Sequence, residues 1–261
     1  MLKKNILILG NTGLIGSYLF MRLKENFNVK ICKRDFLSNF LTNQKISKQN
    51  KIHAIINCIY DYSDQRLNKN NNNYQIASKI LDFKIRNKIK LLINISTLTT
   101  HDLSKSKYGM VKKCIEELFE KKIGCYSIRL GLPSLCNKNI GLLKKIIFLQ
   151  RIILIFNIHL RHNQKIYQRI TNLEDFSLFL ECFFNDYKNY PKIFSFSSQI
   201  LLNFNCLLRS FSPGINIYLP IKLISYILRL FEFFKIPFLF KYDNLIGLTN
   251  CPRKLLIKNY D

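Results

Sequence analysis

The chain has 261 residues, 48% of them hydrophobic, and carries 41 Lys and Arg against 16 Asp and Glu, a formal net charge of +25. This apolar content is enough for one sizeable core and argues against an intrinsically disordered chain. The basic residues are spread along the sequence without forming one arm or stripe. We therefore interpret the charge as a solvated basic surface, with a polyanion or anionic-membrane binder as the alternative.

The first predicted element is a strand, "NILILG", which is followed by a helix-period segment, "GLIGSYLFMRLKENF", and a second strand, "VKICKR". The basic tip and apolar run at the start also resemble a signal peptide. Two glycines interrupt that run and no small-residue cleavage site follows, which favours a buried strand.

After a polar helix-like stretch, strands and helices alternate. The segments are "HAIINCIY" (strand), "YQIASKILDFKIRNK" (helix), "IKLLINIS" (strand), "YGMVKKCIEELFEK" (helix) and "CYSIRLG" (strand). Short apolar runs that alternate with helical segments indicate βαβ units and a parallel sheet buried on both faces. The predicted class is therefore α/β, with a Rossmann-type doubly wound parallel sheet.

The regular alternation ends after "LGLPSL". A basic amphipathic stretch follows, then "RITNLEDFSLFLECFF", predicted as a strand end and a capped helix, and then a strand, "KIFSFSS". We predict that residues 1–198 form the doubly wound domain, with an insertion near residues 134–168. Residues 199–261 are predicted to form a small helix-rich substrate lobe over the carboxyl edge of the sheet. The asparagine tract "NKNNNNYQ" predicts a mobile surface loop that runs into a helix.

Two later segments, "IIFLQRIILIFNIHL" and "IYLPIKLISYILRLFEFFKIPFLF", are long and apolar. Charges or prolines break each of them within the span of about 20 residues that a transmembrane helix needs. Neither is predicted to cross a membrane, and peripheral contact with a membrane surface stays an alternative for them.

The cysteines are scattered and include no CxxC pair, so the sequence predicts no zinc site or other metal site. Mostly apolar neighbours favour reduced, buried thiols and a reducing cytoplasm. The eight are Cys32, Cys58, Cys114, Cys125, Cys136, Cys182, Cys206 and Cys251.

Three glycines, Gly10, Gly13 and Gly16, are spaced three apart between the first predicted strand and helix. A pyrophosphate-binding turn needs a residue that tolerates unusual dihedral angles, backbone amides that can be approached without a Cβ, and close contact of the strand with the helix. Glycine meets all three needs. The pattern therefore favours dinucleotide binding, and an ordinary strand-to-helix turn is the alternative.

The second strand ends in Lys33, Arg34 and Asp35. NAD-preferring folds commonly have an acid here that accepts the ribose hydroxyls, whereas two cations would attract a 2′-phosphate. We therefore predict NADP as the cofactor. NAD stays the alternative, with Asp35 on the ribose and two solvated cations.

Tyr108 and Lys112 lie one helical turn apart at the start of a predicted helix, and Ser96 and Thr97 stand at the carboxyl end of the preceding strand. A free tyrosine has a pKa near 10 and is a poor base at neutral pH. A neighbouring ammonium together with a positively charged nicotinamide would lower that pKa, and a small hydroxyl would bind the substrate oxygen. Together with the glycines, this pattern predicts proton transfer through Tyr108 beside hydride transfer. A Tyr–Lys pair in a lysine-rich helix also arises by chance.

Six segments, "ILILGNTGLIGSYL", "HAIINCIY", "INIST", "YGMVK", "IRLGLPS" and "ITNLEDF", occur in an order that resembles one superfamily. They are similar to the extended and atypical branches of the short-chain dehydrogenase/reductase superfamily, the NAD(P)-dependent nucleotide-sugar epimerase/dehydratase group. The resemblance covers about residues 3 to 198.

The resemblance implies roles for particular residues. The family's pyrophosphate turn falls on Gly10, Thr12, Gly13, Leu14, Ile15 and Gly16, and its cofactor-lining segment on Asn57, Cys58 and Ile59. The triad falls on Ser96 or Thr97, Tyr108 and Lys112, with Lys112 also reaching the cofactor ribose, and the nicotinamide end falls on Leu132 and Pro133.

The chain also departs from the family's pattern. The interval between "IST" and Tyr108 is about half the length usual in sugar epimerases, and no "VYG" follows the hydroxyls. The passage from the second strand into "DFLSN" is more similar to the dTDP-4-dehydrorhamnose reductase branch. These departures leave the substrate unassigned by analogy.

The remaining polar candidates are four histidines, one aspartate and two arginines. The histidines His53, His101, His159 and His162 lack the spacing of a metal or nucleophile site, although His101 could line a substrate pocket. Asp175 is interpreted as a capping or packing residue. Arg129 and Arg161 could each meet a substrate phosphate or form a structural ion pair.

We therefore expect a cytoplasmic NAD(P)-dependent oxidoreductase or epimerase that acts on a carbonyl or hydroxyl of a nucleotide-linked sugar, in polysaccharide or related glycan assembly. The sugar is implied by the resemblance alone. No nucleic-acid partner is expected, and a homodimer is a candidate assembly. The alternatives are a dinucleotide-binding scaffold without turnover and a basic protein that binds a membrane or polyanion.

Overall fold

A computed structural model of the chain describes residues 3–32, 37–43, 51–64, 66–67, 69–101, 104–135, 138–139, 156–161, 166–203, 206, 215–236, 241–249 and 259–260. The strands are β1 (Asn5–Leu9), β2 (Asn28–Cys32), β3 (Ala54–Asn57), β4 (Leu91–Thr97), β5 (Cys125–Leu130), β6 (Leu132–Leu135), β7 (Lys138–Asn139), β8 (Phe156–Arg161), β9 (Tyr167–Gln168), β10 (Ile170–Asn172), β11 (Ile193–Phe196), β12 (Leu202–Asn203), β13 (Ile215–Pro220) and β14 (Asn259–Tyr260). The helices are α1 (Leu14–Leu23), α2 (Leu37–Asn43), α3 (Asn72–Arg86), α4 (Lys107–Glu120), α5 (Leu173–Asp186), α6 (Ile221–Phe233) and α7 (Tyr242–Thr249), with a short 3₁₀ turn at Tyr187–Asn189.

The predicted doubly wound sheet is confirmed. Its strands are all parallel and follow the order β2-β1-β3-β4-β5-β11-β14. The order changes direction at β1, which lies between β2 and β3. In an open parallel sheet, this switch point leaves a crevice beyond the carboxyl ends of the two strands, where ligands bind.

Two apolar cores cover the two faces of the sheet. Along β1, Ile6 and Ile8 pack with α1 and α5, while the alternate residues Leu7 and Leu9 pack with α3 and α4. Because successive side chains of a strand point to opposite faces, a strand covered on both sides needs apolar residues at nearly every position. This explains why the predicted strands are continuous apolar runs. "HAIINCIY" is longer than its strand, since β3 ends at Asn57.

The asparagine tract runs into helix α3 at Asn72, as predicted, but two of its residues are not at the surface. Asn71 and Asn73 are both buried, and the Asn71 side chain accepts a hydrogen bond from the Asn73 amide at 2.8 Å, which caps α3. Asn73 also accepts from the Asp61 amide and donates to the Asp61 carbonyl at 3.0 Å. The tract therefore joins the start of α3 to the segment after β3, because asparagine both caps helices and replaces backbone partners.

The carboxyl-terminal residues form a further small core. Leu228 of α6 and Leu245 and Leu248 of α7 are buried together with Ile166. The chain end then returns to the main sheet, where β14 pairs with β11. The domain boundary at residue 198 and the insertion near residues 134–168 stay predictions, and the two residues of β14 belong to the central sheet.

Within the described ranges, no helix is long and apolar enough to cross a bilayer. The first long apolar segment lies mostly outside these ranges and contributes β8 at its end, whereas the second is divided by Pro220 into β13 and α6. Cys32 and Cys125 are buried, as expected, but Cys182 and Cys206 are exposed.

A buried ion pair joins α4 to β5. The Arg129 guanidinium donates to both Glu116 carboxylate oxygens at 2.7–3.1 Å, and the Glu116 side chain is 1% exposed. The Thr100 hydroxyl adds a third donor at 3.0 Å. Of the two roles considered for Arg129, the structural ion pair is the one observed. The Arg161 side chain lies outside the described residues.

Replacement of Glu116 by Gln tests how much this ion pair contributes to the free energy of unfolding. Glu116→Gln removes one buried charge and leaves Arg129 with a neutral partner, so we expect a loss of about 3 kcal/mol in the free energy of unfolding, near the lower end for a broken buried pair. Urea unfolding measures it. Glu117→Gln, at the exposed neighbouring position, is the matched control and should change stability by less than about 0.5 kcal/mol. Equal effects of the two substitutions would contradict the expectation.

Candidate functional site

The glycine turn lies at the carboxyl end of β1, beside the segment that follows β3. Gly10 has φ +84°, and a Cβ placed on it would lie 2.8–2.9 Å from backbone atoms of Cys58 and Ile59. A Cβ on Gly16 would lie 2.3 Å from the Gly10 carbonyl oxygen. Both positions therefore require glycine, one for its dihedral angle and both for close approach.

Helix α1 begins directly after this turn with open backbone amides. Gly13 is its N-cap residue and supplies no side-chain hydrogen bond, and its first turn contains no acidic residue. Thr12, Gly13 and Leu14 are exposed, whereas Ile15 packs on the core. Uncapped N–H groups at a helix N-terminus favour an anion.

The predicted cofactor-lining segment is held by a row of buried polar side chains. Asn57 donates to Asn94 at 3.0 Å, and Asn94 donates to the Ser127 hydroxyl at 3.3 Å, across three neighbouring strands. The Asn57 side chain also accepts from the Ile59 amide at 3.2 Å. This row fixes the course of the backbone through Cys58, whose amide donates to the Leu9 carbonyl at 2.9 Å.

Lys112 is buried beneath this segment. Its Nζ donates to the Ile95 carbonyl oxygen at 2.8 Å and lies 5.3 Å from the centre of the Tyr60 ring. Burial lowers the pKa of Lys112 to about 8, against the opposing influence of the nearby Cys58 and Glu116. Burial likewise raises the pKa of the Cys58 thiol to about 12, and the Lys112 ammonium opposes this rise. The two groups therefore lie in the same low-dielectric site.

Tyr108 belongs to a cluster of three tyrosines. Its ring centre is 4.6 Å from that of Tyr60, in edge-to-face contact, and 5.7 Å from that of Tyr62, nearly parallel. A hydrogen bond joins the Tyr108 and Tyr62 side chains. Tyr62 is 61% exposed, so the cluster reaches from the buried lysine to the surface.

The protein's own side chains raise the pKa of Tyr108. Burial is the main cause, and Tyr62 and Tyr60 add to it. The sequence pattern predicted a lowered pKa from Lys112 together with a nicotinamide ring. In the structure, the Lys112 ammonium instead contacts the Ile95 carbonyl and the Tyr60 ring. The Tyr108 phenol is therefore protonated at neutral pH.

The two candidate hydroxyls at the end of β4 differ in their surroundings. Ser96 is buried, and its Oγ finds no hydrogen-bond partner among the described residues. The Thr97 hydroxyl is partly exposed and accepts from the Thr99 amide at 3.4 Å and the Thr99 hydroxyl at 3.3 Å. An unsatisfied buried hydroxyl costs free energy, so Ser96 has an unused capacity for hydrogen bonding. The choice between the two stays open.

The N-terminus of α4 has two caps. The Ser106 hydroxyl accepts from the Gly109 amide at 2.9 Å. The Asp243 carboxylate, from α7, accepts from the Lys107 amide at 2.7 Å and the Tyr108 amide at 3.2 Å. An anion at a helix N-terminus is stabilising. Asp243 thereby holds the backbone of the candidate catalytic tyrosine from another part of the chain.

Gly109 lets the loop after β4 approach α4 closely. A Cβ at this position would lie 2.4 Å from the Ser104 hydroxyl and 2.6 Å from the Thr99 carbonyl oxygen. The loop that follows Ser96 and Thr97 therefore packs directly on the first turn of α4.

The residues predicted for the nicotinamide end lie in β6. Leu132 and Pro133 pair with Ile170 and Thr171 of β10 and are partly buried. Leu132 also packs against the core of α6 and α7.

The remaining predicted positions include residues outside the described ranges. Lys33, Arg34, Asp35 and His162 lie outside the described residues. Asp175 accepts a hydrogen bond from Asn172 at 2.8 Å at the start of α5, which fits its interpretation as a capping or packing residue. His101 is partly buried in the loop after β4. The described residues contain no group of His, Cys, Asp and Glu that could hold a metal ion.

Sequence reasoning missed the contributions of Tyr60, Tyr62, Glu116 and Asp243. The two tyrosines follow β3 in irregular backbone, so no local pattern pairs them with Tyr108. No sequence pattern pointed to Asp243 as a cap of α4, since it is 135 residues from Tyr108.

Comparison with solved structures finds the same fold in epimerases and reductases. A dTDP-4-dehydrorhamnose reductase from Bacillus anthracis in complex with NADP has a TM-score of 0.63 and 12% identity, over 95% of this chain and 98% of that one. A UDP-N-acetylglucosamine 4-epimerase from Bacillus cereus has a TM-score of 0.60 and 13% sequence identity, over 95% of each chain. A GDP-mannoheptose C4 reductase from Campylobacter jejuni with NADP bound has a TM-score of 0.60 and 12% sequence identity, over 95% of this chain and 97% of that one.

No protein-family model matches the chain, and no curated protein matches its sequence. At these low identities, the structural likeness shows the fold alone.

Removal of the Asp243 cap should loosen the start of α4. Asp243→Ala leaves the Lys107 and Tyr108 amides without their carboxylate, so we expect a loss of about 1 kcal/mol in the free energy of unfolding. Thermal unfolding followed by circular dichroism measures it. Glu120→Ala, an exposed acid at the other end of α4, should have little effect, and a loss as large as that of Asp243→Ala would contradict the role of the cap.

The buried ammonium should make stability depend on pH. Lys112 has a pKa of about 8 in the folded protein and an ordinary value of 10.5 when unfolded. The unfolded chain therefore binds more protons between these pH values, and the free energy of unfolding contributed by Lys112 rises as pH rises from about 8 to about 10.5. Lys112→Met lacks this titration, so the native protein should gain stability relative to the variant across that window. Tm measurements on the native protein and the variant at each pH test this. Lys121→Met, at an exposed position, is the control, and its Tm should change with pH as that of the native protein does.

Proposed function

We propose that the chain is an NADP- or NAD-dependent oxidoreductase that acts on a carbonyl or hydroxyl group of a nucleotide-linked sugar. One observation carries the proposal. The glycine turn after β1, the Cys58 segment after β3, and Lys112 and Tyr108 of α4 form one contiguous group at the switch point of the sheet. The glycine turn and the Tyr108–Lys112 pair were predicted from the residues, and the Cys58 segment from the family resemblance. Their adjacency is what a dinucleotide enzyme requires.

The residues of the crevice suit a dinucleotide. The open amides of the α1 N-terminus, directly after the glycine turn, would hold the pyrophosphate, and the backbone from Asn57 to Ile59 would line the adjoining nucleotide. Leu132 and Pro133 would lie at the nicotinamide end, and Lys112 would reach the ribose. Lys33 and Arg34 support NADP by their charge, with Asp35 as the acid that would instead suit NAD.

A bound nicotinamide supplies or accepts the hydride in such a reaction. Tyr108 gives a proton to the substrate oxygen, or takes one from it, and the hydroxyl of Ser96 or Thr97 holds that oxygen by a hydrogen bond. The raised pKa of Tyr108 keeps its phenol protonated. A raised pKa also makes the phenol a weaker acid, so the pKa of Tyr108 does not select a direction of reaction.

The substrate class rests on similarity to other proteins. The resemblance of the motifs to the epimerase/dehydratase group and the names of the compared enzymes both support a nucleotide-linked sugar. A role in polysaccharide assembly follows from the same reasoning and is part of the proposal.

A dinucleotide-binding scaffold without turnover is the second candidate. It is favoured by the engagement of both candidate catalytic groups inside the protein, since Tyr108 bonds to Tyr62 and Lys112 to the Ile95 carbonyl. Such a protein would need the glycine turn but not the Tyr108 hydroxyl.

Cofactor binding and turnover of the full chain distinguish these functions. NADP(H) at about 100 times its Kd should stabilise the protein by about 2.7 kcal/mol, seen as a rise in Tm, and Gly10→Val should remove this rise. With a panel of UDP-, GDP- and dTDP-linked keto sugars, Tyr108→Phe should lower kcat by roughly 10²–10⁴-fold and leave the cofactor-induced rise in Tm nearly unchanged.

Tyr226→Phe, which alters an exposed tyrosine on α6, is the matched control and should keep full activity. Turnover that survives Tyr108→Phe would reject the proposed mechanism. A cofactor-induced rise in Tm without turnover on any sugar would support the scaffold. A lack of any rise with either NADP(H) or NAD(H) would reject both.

A further inference from the structure

Helix α6 presents an apolar surface to the outside of the protein. We call this surface the α6 outer face, and it consists of Leu223, Tyr226, Ile227, Leu230, Phe233 and Phe234. Tyr226 is 62% exposed, Phe233 79% and Phe234 65%. The spacing of three, four and seven residues gathers all six on one side of the helix.

The opposite side of α6 accounts for its attachment to the fold. Leu228 is buried against Ile166, Leu245 and Leu248, and Ile221 and Ile224 pack at the edge of this cluster. The outer face takes no part in that core. A surface helix normally carries charged or polar residues on its outer side, so an apolar outer side marks an interaction surface.

Positive charge borders the α6 outer face. At 100° per residue, Lys222 and Arg229 fall side by side along one border of the apolar stripe, and Lys235 follows the helix end. Glu232 is the one acidic residue of the helix, and its carboxylate accepts a hydrogen bond from the Tyr242 amide at 3.0 Å. The Arg229 guanidinium is also held, 4.3 Å from the centre of the Tyr242 ring.

We propose that the α6 outer face docks on an anionic lipid membrane, with the helix lying in the plane of the interface. Aromatic and aliphatic side chains along a stripe with cations at its border are the features that bind such a surface. The apolar side chains would enter the boundary of the acyl chains, and Lys222 and Lys235 would meet the negative headgroups.

The chemistry of the face favours lipid over a protein partner. Apart from the Tyr226 hydroxyl, its side chains offer no hydrogen-bonding group, whereas protein interfaces normally form about one hydrogen bond per 100–200 Å². A second copy of the chain would bring another net charge of +25 to a face that is already bordered by cations. Like charge opposes that contact and favours an anionic bilayer.

Vesicle sedimentation with the full chain tests the proposal. We expect binding to vesicles of equal parts phosphatidylglycerol and phosphatidylcholine, weak binding to pure phosphatidylcholine, and loss of binding near ~1 M salt, where the Debye length falls to ~3 Å. Phe233→Ser should lower the partition coefficient roughly tenfold or more because a phenylalanine side chain no longer enters the lipid boundary. Lys222→Gln should lower it roughly fivefold on anionic vesicles.

A matched pair of leucines provides the control. Leu223 on α6 is 45% exposed and Leu178 on α5 is 54% exposed. Leu223→Ser should weaken binding severalfold, whereas Leu178→Ser should leave it unchanged. Each variant is first shown to unfold near the Tm of the native protein, since the altered side chains are at the surface.

Two outcomes would overturn the proposal. The first is a native protein that fails to bind anionic vesicles, or whose binding ignores the α6 substitutions. The second is a dimer, detected by sedimentation without vesicles, that Phe233→Ser converts to a monomer while vesicle binding stays the same. That result would assign the face to a second copy of the chain. Neither outcome depends on cofactor binding or turnover, so the proposed function stands or fails separately.

Discussion

The backbone of Gly10 approaches the backbone of Cys58 and Ile59 so closely that no side chain fits between them. This contact brings the end of β1 against the end of β3 at the point where the strand order reverses. Helix α1 begins directly after the glycine turn, at Leu14, and its N-cap Gly13 supplies no side-chain hydrogen bond. The candidate site depends on this approach, because a Cβ at Gly10 would separate the two segments of the proposed dinucleotide cradle.

Beneath the cradle, α4 carries charges that are costly to bury. Lys112 is held by the Ile95 carbonyl, and Glu116, one turn further along the helix, is held by Arg129 and Thr100. The net contribution of such groups to stability is small or negative, whereas their requirement for partners is strict. We interpret them as constraints on register that orient α4, and with it Tyr108, against β4 and β5.

The carboxyl-terminal helices are connected to the same helix through two carboxylates. Glu232 at the end of α6 accepts from the first amide of α7, and Asp243 of α7 accepts from the first amides of α4. Both acids interact with the positive end of a helix dipole. The helix that carries the proposed membrane surface is therefore joined by short contacts to the helix that carries the candidate catalytic tyrosine.

The sequence by itself determined the class of fold and the location of the crevice, because periodicity and turn chemistry are local properties. Apolar runs are required of strands covered on both faces, and Gly10 and Gly16 are required where backbones touch. Lys112 and Tyr108 were assigned to one helix for the same reason. Local patterns also misled, since buried Asn71 and Asn73 belong to a tract that indicated an exposed loop.

Only the tertiary structure decided which distant groups meet. The cap from Asp243, the partner of Arg129 and the tyrosines around Tyr108 join segments that are separate in sequence, and no period or motif encodes such contacts. The direction in which the pKa of Tyr108 shifts also depends on the tertiary structure, because burial depends on every segment that packs around the phenol. Side-chain environments of this kind arise only when the whole chain has folded.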